Sequence, residues 1–307
     1  FIIKEKYMKN ILIATIVLAF SLFTYNSYAA EADLYGSVNY KVTNDDNSSG
    51  KAILKAENNG SIIGVDFSQT LVEGETGGLS GFGKIEVGID ADDSGSDLLD
   101  SRLAYVGVDA GVLGAVSGGR QSNPHAGVSK TNIFNVYGAN ATFTYADRSS
   151  NSVKYSNSIG PISFNAMGVI DGATGKDGLD VTDLSASMDF GPISLAGGLV
   201  DDKVNNVTYT VASAGISLVG IDLAGTYSYK DTTTTDLTGL EYTASKSFGD
   251  TTFAVGYQDK EGTASYITYG ASRQLTDDLL GYAEFQTTDN DTGTDTTQMA
   301  MGIKFSF

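Results

Sequence analysis

The sequence predicts an all-β fold: a transmembrane antiparallel up-and-down β-barrel of about sixteen strands. Three observations predict it. The last nine residues alternate between apolar and small or polar side chains, and the chain is rich in tyrosine and phenylalanine but has no cysteine or tryptophan. After residue 29, no apolar run is long enough for a membrane-spanning helix. Composition alone leaves a secreted, water-soluble β protein as an alternative.

The final strand carries the clearest pattern. Because the side-chain period of a strand is two, its apolar residues fall on one face and its small or polar residues on the other. A water-soluble protein does not need five large apolar side chains facing outward from its last strand, whereas a barrel in lipid requires them. The apolar set is Met299, Met301, Ile303, Phe305 and Phe307.

The same alternation recurs along the chain. The polar faces carry charges and hydroxyl groups that are costly to bury without water, so a barrel of this size keeps an aqueous lumen. The pattern changes parity midway through residues 206–218, which predicts a bulge there. The predicted strands are 31–43, 52–71, 79–91, 99–110, 113–121, 146–158, 161–172, 181–191, 192–203, 206–218, 220–231, 236–248, 251–260, 263–275, 279–289 and 295–307.

The connections between predicted strands alternate in length. One set is very short, at residues 158–161, 191–192, 219–220, 249–250 and 276–278. The other set is acidic and generally longer, as at residues 90–100, 172–180 and 289–295. Short turns at one rim and longer loops at the other are typical of a bacterial outer-membrane barrel.

The first 29 residues read as a secretory signal peptide. Met8 and Lys9 precede an apolar run over residues 11–23, and Ser27-Tyr28-Ala29 fits the small-x-small cleavage rule. Residues 1–7 fit an upstream extension of the true start. An uncleaved membrane anchor is the alternative. Residues 30–307 then form one barrel domain without a linker or a long internal repeat.

Composition excludes several function classes. With 37 acidic and 19 basic residues, a chain of net charge −18 is not expected to bind nucleic acid by neutralising phosphates. The absence of cysteine excludes disulfides and thiolate metal sites. His125 is the only histidine, and nothing beside it resembles a nucleophile elbow, so we expect neither an enzyme nor a cofactor.

Two acidic stretches partly fit the spacing of a calcium-binding loop. One contains Asp90 and Asp92 and the other Asp289 and Asp291, but the first lacks the closing glutamate. Solvated loops are the favoured interpretation, so the sequence predicts no dedicated metal site. Loose binding of Ca²⁺ or Mg²⁺ between acidic loops and anionic lipopolysaccharide is the alternative.

Residues 101–124 read SRLAYVGVDAGVLGAVSGGRQSNP. This segment resembles a signature of the Gram-negative general diffusion porins, in which an Arg-x-Ala-Tyr-Val-Gly strand and a strand ending Gly-Arg-Gln precede a long loop. The start, Asp33-Leu34-Tyr35-Gly36, and the terminal phenylalanine are similar too. The resemblance implies a homotrimeric channel in the bacterial outer membrane that passes small hydrophilic solutes by diffusion. It also implies that Phe307 is part of the signal read by the outer-membrane assembly machinery.

The resemblance assigns roles to individual residues. Arg102 and Arg120 match lumen-facing arginines at the pore constriction, although arginines that bind loop carbonyls are the alternative. Residues 121–146 would be an inward-folded third loop, and Lys130 in this loop would join the two arginines at the constriction. Phe134 and Tyr137 would anchor that loop because they need burial. An external loop packed on a neighbouring subunit is the alternative.

The sequence departs from the family pattern in its charges. Residues 121–146 contain no aspartate or glutamate, and Ser37 and Ile62 stand where the family often has basic residues. We therefore expect a weaker transverse field, with weak cation preference from the acidic outer loops. A solute-specific channel and a non-conducting adhesin are the alternative functions.

Overall fold

The computed structural model describes residues 30–46, 51–74, 78–92, 98–171 and 178–307, so the predicted signal peptide lies outside the described residues. Within these ranges no helix is long and apolar enough to cross a membrane. The strand segments are β1 (Glu31–Asp46), β2 (Ala52–Asn58), β3 (Ser61–Val72), β4 (Leu79–Ile89), β5 (Leu99–Asp109), β6 (Ala115–Ser122), β7 (Arg148–Ile159), β8 (Ile162–Val169), β9 (Val181–Phe190), β10 (Ile193–Asp202), β11 (Val207–Leu218), β12 (Ile221–Thr232), β13 (Asp236–Phe248), β14 (Thr251–Lys260), β15 (Ala264–Thr276), β16 (Leu279–Asn290) and β17 (Thr296–Ser306).

These segments form a closed antiparallel barrel of sixteen strands, as predicted. From β3 onward each segment pairs with the next, and β17 pairs back onto β1. The segments β2 and β3 pair in succession with β1 and are separated only by Asn59 and Gly60, so together they are one strand of the wall. The backbone N–H of Asn59 still donates to the carbonyl of Asn39 at 2.9 Å, which keeps the two strands joined across the break.

The two faces of the wall differ in polarity. Met301 is 61% exposed on the outer face, whereas its neighbour Ala300 is 1% exposed on the inner face. The alternation predicted for the last strand is thus confirmed, and it extends through the outward-facing Val38, Tyr242 and Tyr269, which are also exposed. A monomer with this outer face requires an apolar surrounding phase.

The barrel closes at the very end of the chain. The N–H of Phe307 donates to the carbonyl of Gly36 at 3.1 Å, and the N–H of Gly36 donates to the carbonyl of Phe307 at 2.9 Å. A Cβ on Gly36 would lie 2.6 Å from the Phe307 ring, so only glycine leaves room for that ring against β1. The terminal phenylalanine therefore contributes directly to closure.

The five short turns predicted from the sequence are confirmed, each leaving two residues between consecutive strands. In the turn between β11 and β12, Val219 and Gly220 both have positive φ, at 52° and 72°. This is the backbone geometry of a type I′ turn, whose twist matches that of the flanking strands. The described connections at the opposite rim, such as residues 203–206 and 291–295, are longer, so the predicted asymmetry of the two ends is present among the described residues.

The bulge predicted in residues 206–218 is wrong. β11 keeps continuous register with both neighbours, β10 and β12. The change in sequence parity has another cause: the inward side chains of its first half, including Tyr209 and Val211, are apolar or aromatic because other residues cover them inside the wall. The register shifts are instead on β3–β4, β4–β5, β6–β7 and β15–β16.

Candidate functional site: a long loop bound to the inner face of the wall

Residues 123–147, hereafter the long loop, contain no strand and only one short 3₁₀ turn, Pro124–Gly127. Near its start, His125 is held by Asp183 on β9. The His125 backbone N–H donates to the Asp183 carboxylate at 3.1 Å, and Nδ1 lies 2.6 Å from Oδ2. Both side chains are fully buried, so this polar pair is shielded from competition by water. The carbonyl of Val128 accepts a hydrogen bond from Ser213 on β11.

Glu241 on β13 holds the middle of the long loop at two points. Its Oε1 accepts the backbone N–H groups of Ala141 and Thr142, both at 2.9 Å, and its Oε2 accepts the hydroxyl of Thr131 at 2.5 Å. The carboxylate is completely buried. A buried charge without partners is strongly destabilising. The three hydrogen bonds from the long loop stabilise the Glu241 carboxylate in place of a cation.

Glu284 on β16 binds a second part of the long loop. It accepts the successive backbone N–H groups of Asn135, Val136 and Tyr137 at 2.5, 3.0 and 2.9 Å. Consecutive N–H groups pointing at one anion form a nest, which concentrates partial positive charge on the carboxylate. Asp147, at the end of the long loop, is its only acidic residue, and the strands supply the acidic groups that bind the loop.

Aromatic side chains add apolar contacts to these hydrogen bonds. Phe134 is 9% exposed and lies over two glycines of adjacent strands. A Cβ on Gly256 or Gly270 would stand 2.7 or 3.0 Å from its ring, so the two glycines form the shallow groove that receives it. Tyr137 is also buried, and its hydroxyl donates to Asp45 on β1 at 3.3 Å. Burial, and then the negative charge of Asp45, raise the pKa of Tyr137, which keeps the phenol protonated.

An apolar cluster supports the end of the long loop. Met167, Val169, Val181 and Val200 are buried on the inner face of β8–β10, and Tyr145 and Tyr209 pack against them. The rings of Tyr145 and Tyr209 lie 6.2 Å apart between centroids. Sequence reasoning missed this cluster because the two-residue period does not show which inward side chains another segment of the chain will cover.

Arg102 faces inward because of a β-bulge. The register of β5 on β4 shifts between Glu86 and Val87, which leaves Arg102 as an extra residue without a partner on β4. Its Nε donates to Glu86 Oε1 at 2.6 Å, and Glu86 also accepts the hydroxyl of Tyr35 at 2.9 Å. In a regular strand, residues two apart project from the same face, so without the bulge Arg102 would point outward like Ala104. The sequence motif named the residue, but it did not reveal the bulge or the acidic partner.

Arg120 does not lie where the resemblance implied. It pairs with Ala104, which pairs in turn with Ile85, an outward residue that is 55% exposed. Paired residues of antiparallel strands project from the same face, so Arg120 belongs to the outer face near the loop rim. Its Nη1 donates to Ser150 Oγ at 3.0 Å. The interpretation of Arg120 as a lumen-facing constriction residue is therefore corrected.

Two further ion pairs lie on the inner face. Lys84 lies 3.1 Å from Asp66, and Lys41 lies 3.8 Å from Glu57. Lys130 on the long loop lines a cavity of about 360 Å³ that extends to the short-turn rim. That cavity also includes Asp189 and Asp222 from the barrel wall.

The acidic stretches show no assembled metal site. Within the residues that the structure describes, no group of three or more His, Asp or Glu side chains could hold a metal ion. Asp92 accepts the backbone N–H of Asn58 at 2.8 Å, an interaction that fixes the loop instead. Part of the stretch that begins at Asp90, residues 93–97, lies outside the described ranges. Asp289 and Asp291 flank the end of β16.

Comparison with known proteins agrees with this architecture. A family model described as Gram-negative porin matches residues 14–293. The anion-selective porin from Comamonas acidovorans is similar in structure, with a TM-score of 0.74 and 19% identity over 91% of this chain and 100% of that one. OmpF of Salmonella typhi in complex with daunomycin has a TM-score of 0.73 and 18% identity, over 93% of this chain and 100% of that one. OmpT of Vibrio cholerae in its trimer form has a TM-score of 0.66 and 16% identity, over 91% of this chain and 100% of that one.

The fold and the family match define a class of protein, a channel of the bacterial outer membrane for passive diffusion of small solutes. The chain belongs to the Gram-negative porin family. Family and fold are those of channels rather than of enzymes. No curated protein sequence gives a significant match.

Proposed function

We propose that this porin is a general diffusion channel whose narrowest part is set by the long loop lying inside the lumen. The observation that supports this proposal is the position of the side chains that bind the long loop. They are inward-facing side chains on strands spread around the wall, among them Asp45 on β1, Asp183 on β9 and Glu284 on β16. A loop outside the barrel does not reach the inner face of all these strands.

The channel then selects solutes mainly by size, and the charges along the pore modify this selection. Arg102 projects from one part of the wall, and Lys130 lies on the loop itself. Phe134 and Tyr137 act as anchors that hold the loop in place. Because Glu86 neutralises Arg102 locally, the acidic balance of the chain dominates and the pore prefers cations weakly.

Single-channel recording of purified protein in a planar bilayer tests the proposed function. We expect stepwise openings in KCl, with passage of uncharged solutes limited by size. A reversal potential indicating weak cation preference under a KCl gradient supports the charge argument, and anion preference at low salt contradicts it. A barrel without conductance favours the non-conducting adhesin.

Removing the positive charge at position 102 should shift ion preference. In R102Q, Glu86 loses its cation partner, so we expect the potassium-to-chloride permeability ratio to rise roughly two- to fivefold, as one unit charge about 8 Å from the ion path implies in water. Reversal potentials measure this ratio. R120Q is the matched control, because Arg120 lies on the outer face. An equal shift in both variants contradicts the placement of the two arginines.

We also propose that the protein is a homotrimer. Part of the apolar outer face of each barrel contacts the neighbouring subunits, and the remainder contacts lipid and lipopolysaccharide. Trimeric solved relatives such as OmpT of Vibrio cholerae support it. Phe307, exposed at the closing seam, is available for recognition by the assembly machinery before closure. The mass of the detergent-solubilised protein, corrected for bound detergent, tests the subunit number.

A further inference from the structure

A second cavity lies between the first turn of the long loop and the inner face of β7 and β8. Its volume is about 460 Å³. Two basic residues, Lys154 and Arg148, line it together with one acidic residue, Asp147, so the lining itself has a net positive charge. The Asp183 carboxylate lies outside the lining but near enough to act on Lys154 electrostatically. The side-chain amides in its lining are those of Asn123, Asn132 and Asn165.

Lys154 has few partners for a charged group on the inner face. Its Nζ makes one long hydrogen bond, 3.4 Å to the carbonyl of Ser122, and among the described residues no carboxylate lies within ion-pair distance of it. On the same face Lys41, Lys84 and Arg102 each have an acidic partner, whereas Lys154, like Lys304, has no ion pair among the described residues. An ammonium group with spare donors in a recess can bind an anion strongly because solvent competes less there.

Asn123 supplies the complementary feature. It is 3% exposed, and while its Nδ2 donates to the carbonyl of Ala146, its buried Oδ1 has no hydrogen-bond partner. A buried acceptor without a donor is destabilising, and a bound molecule that donates a hydrogen bond would satisfy it. The cavity lining thus combines cationic donors with an unsatisfied neutral acceptor.

We propose that this cavity is a solute-binding subsite of the channel for small carboxylates that also carry a hydroxyl group. The carboxylate binds Lys154 and Arg148, and the hydroxyl donates to Asn123 Oδ1. The subsite rests on the proposed diffusion function, because solutes reach it only through an open lumen. It adds to that function a recognised solute class and a residue, Lys154, that the porin signature does not include.

Uptake into proteoliposomes containing the full-length porin tests the subsite. Lactate, which has both groups, should enter at a rate that saturates with concentration. Propionate, which lacks the hydroxyl group, should require at least a fivefold higher concentration for half-saturation. The uncharged sugar arabinose should enter at a rate that rises linearly with concentration, since it does not engage the basic pair.

Variants identify the site. K154Q should make lactate uptake linear or raise its half-saturating concentration at least tenfold, whereas K154R should retain saturation because it keeps the charge. K304Q is the matched control, since Lys304 also faces inward but lies outside the cavity lining. Unchanged arabinose uptake and a strand-rich circular dichroism spectrum verify that each variant is folded and open.

The outcomes separate the subsite from the channel. Linear uptake of lactate by the wild-type protein, with normal arabinose uptake, overturns the subsite and leaves the diffusion channel standing. Saturation that persists unchanged in K154Q places binding elsewhere and also overturns it. Absence of uptake of every solute overturns the proposed function itself.

Discussion

Replacing Glu241 and Glu284 together by alanine should release the long loop and raise single-channel conductance. Each carboxylate accepts three hydrogen bonds from the loop, and truncation leaves those donors without a partner. A buried donor left unsatisfied costs about 1–3 kcal/mol, so even after water reaches the freed groups we expect a loss of at least ~2 kcal/mol per site. The open-channel current should become larger and noisier.

The isosteric variant E241Q/E284Q separates charge from shape. Glutamine presents one amide NH₂ to the loop where a carboxylate oxygen stood, so donors face donors and release should be nearly as complete. E57Q is the control, because Glu57 faces the lumen and lies 3.8 Å from Lys41 but makes no hydrogen bond to the loop. Conductance in the double variants equal to that of the wild type contradicts a loop that narrows the pore.

Removing the ring of Phe134 should weaken the same loop by a different route. F134A deletes a nearly buried aromatic side chain, and comparable truncations cost about 3–5 kcal/mol. G256A should also destabilise, because the new methyl group stands 2.7 Å from the ring and forces it to move. Thermal unfolding in detergent measures both changes.

The two substitutions should not be additive. In the F134A background the ring is absent, so G256A should cost almost nothing more, giving a coupling of about 0.5–3 kcal/mol. G225A is a matched control on the same wall, since the nearest atom to its new Cβ is a Tyr242 ring carbon at 3.4 Å, remote from Phe134. Additive losses in F134A/G256A contradict the contact.

Strand number and polarity could be predicted from the sequence because the two-residue period marks the two faces of each strand and the turn residues separate one strand from the next. The last strand shows why: five apolar residues on one face leave no alternative orientation in lipid. The parity change in β11 was misread as a bulge because period alone does not distinguish a backbone irregularity from an inner face covered by other residues. Tyr209 lies inward against a packed cluster, not outward.

The candidate site was harder to predict because it depends on register between distant segments. Phe134 and Tyr137 could be expected to be buried from their size alone. The acidic residues that hold the loop, Glu241 and Glu284, were two among 37 in the chain, and only the fold brings them to it. For Arg120, the motif located the residue correctly in its strand, but the face depended on its pairing with Ala104.

The order in which the loop meets its partners bears on how the protein matures. Apart from Asp45, the acidic groups that hold it follow it in the chain, by 58 residues for the His125–Asp183 pair and by 147 for Tyr137–Glu284. Contacts of such long sequence separation form slowly. The loop therefore acquires its full set of bonds only after most of the wall exists, which makes its docking a late event of biogenesis.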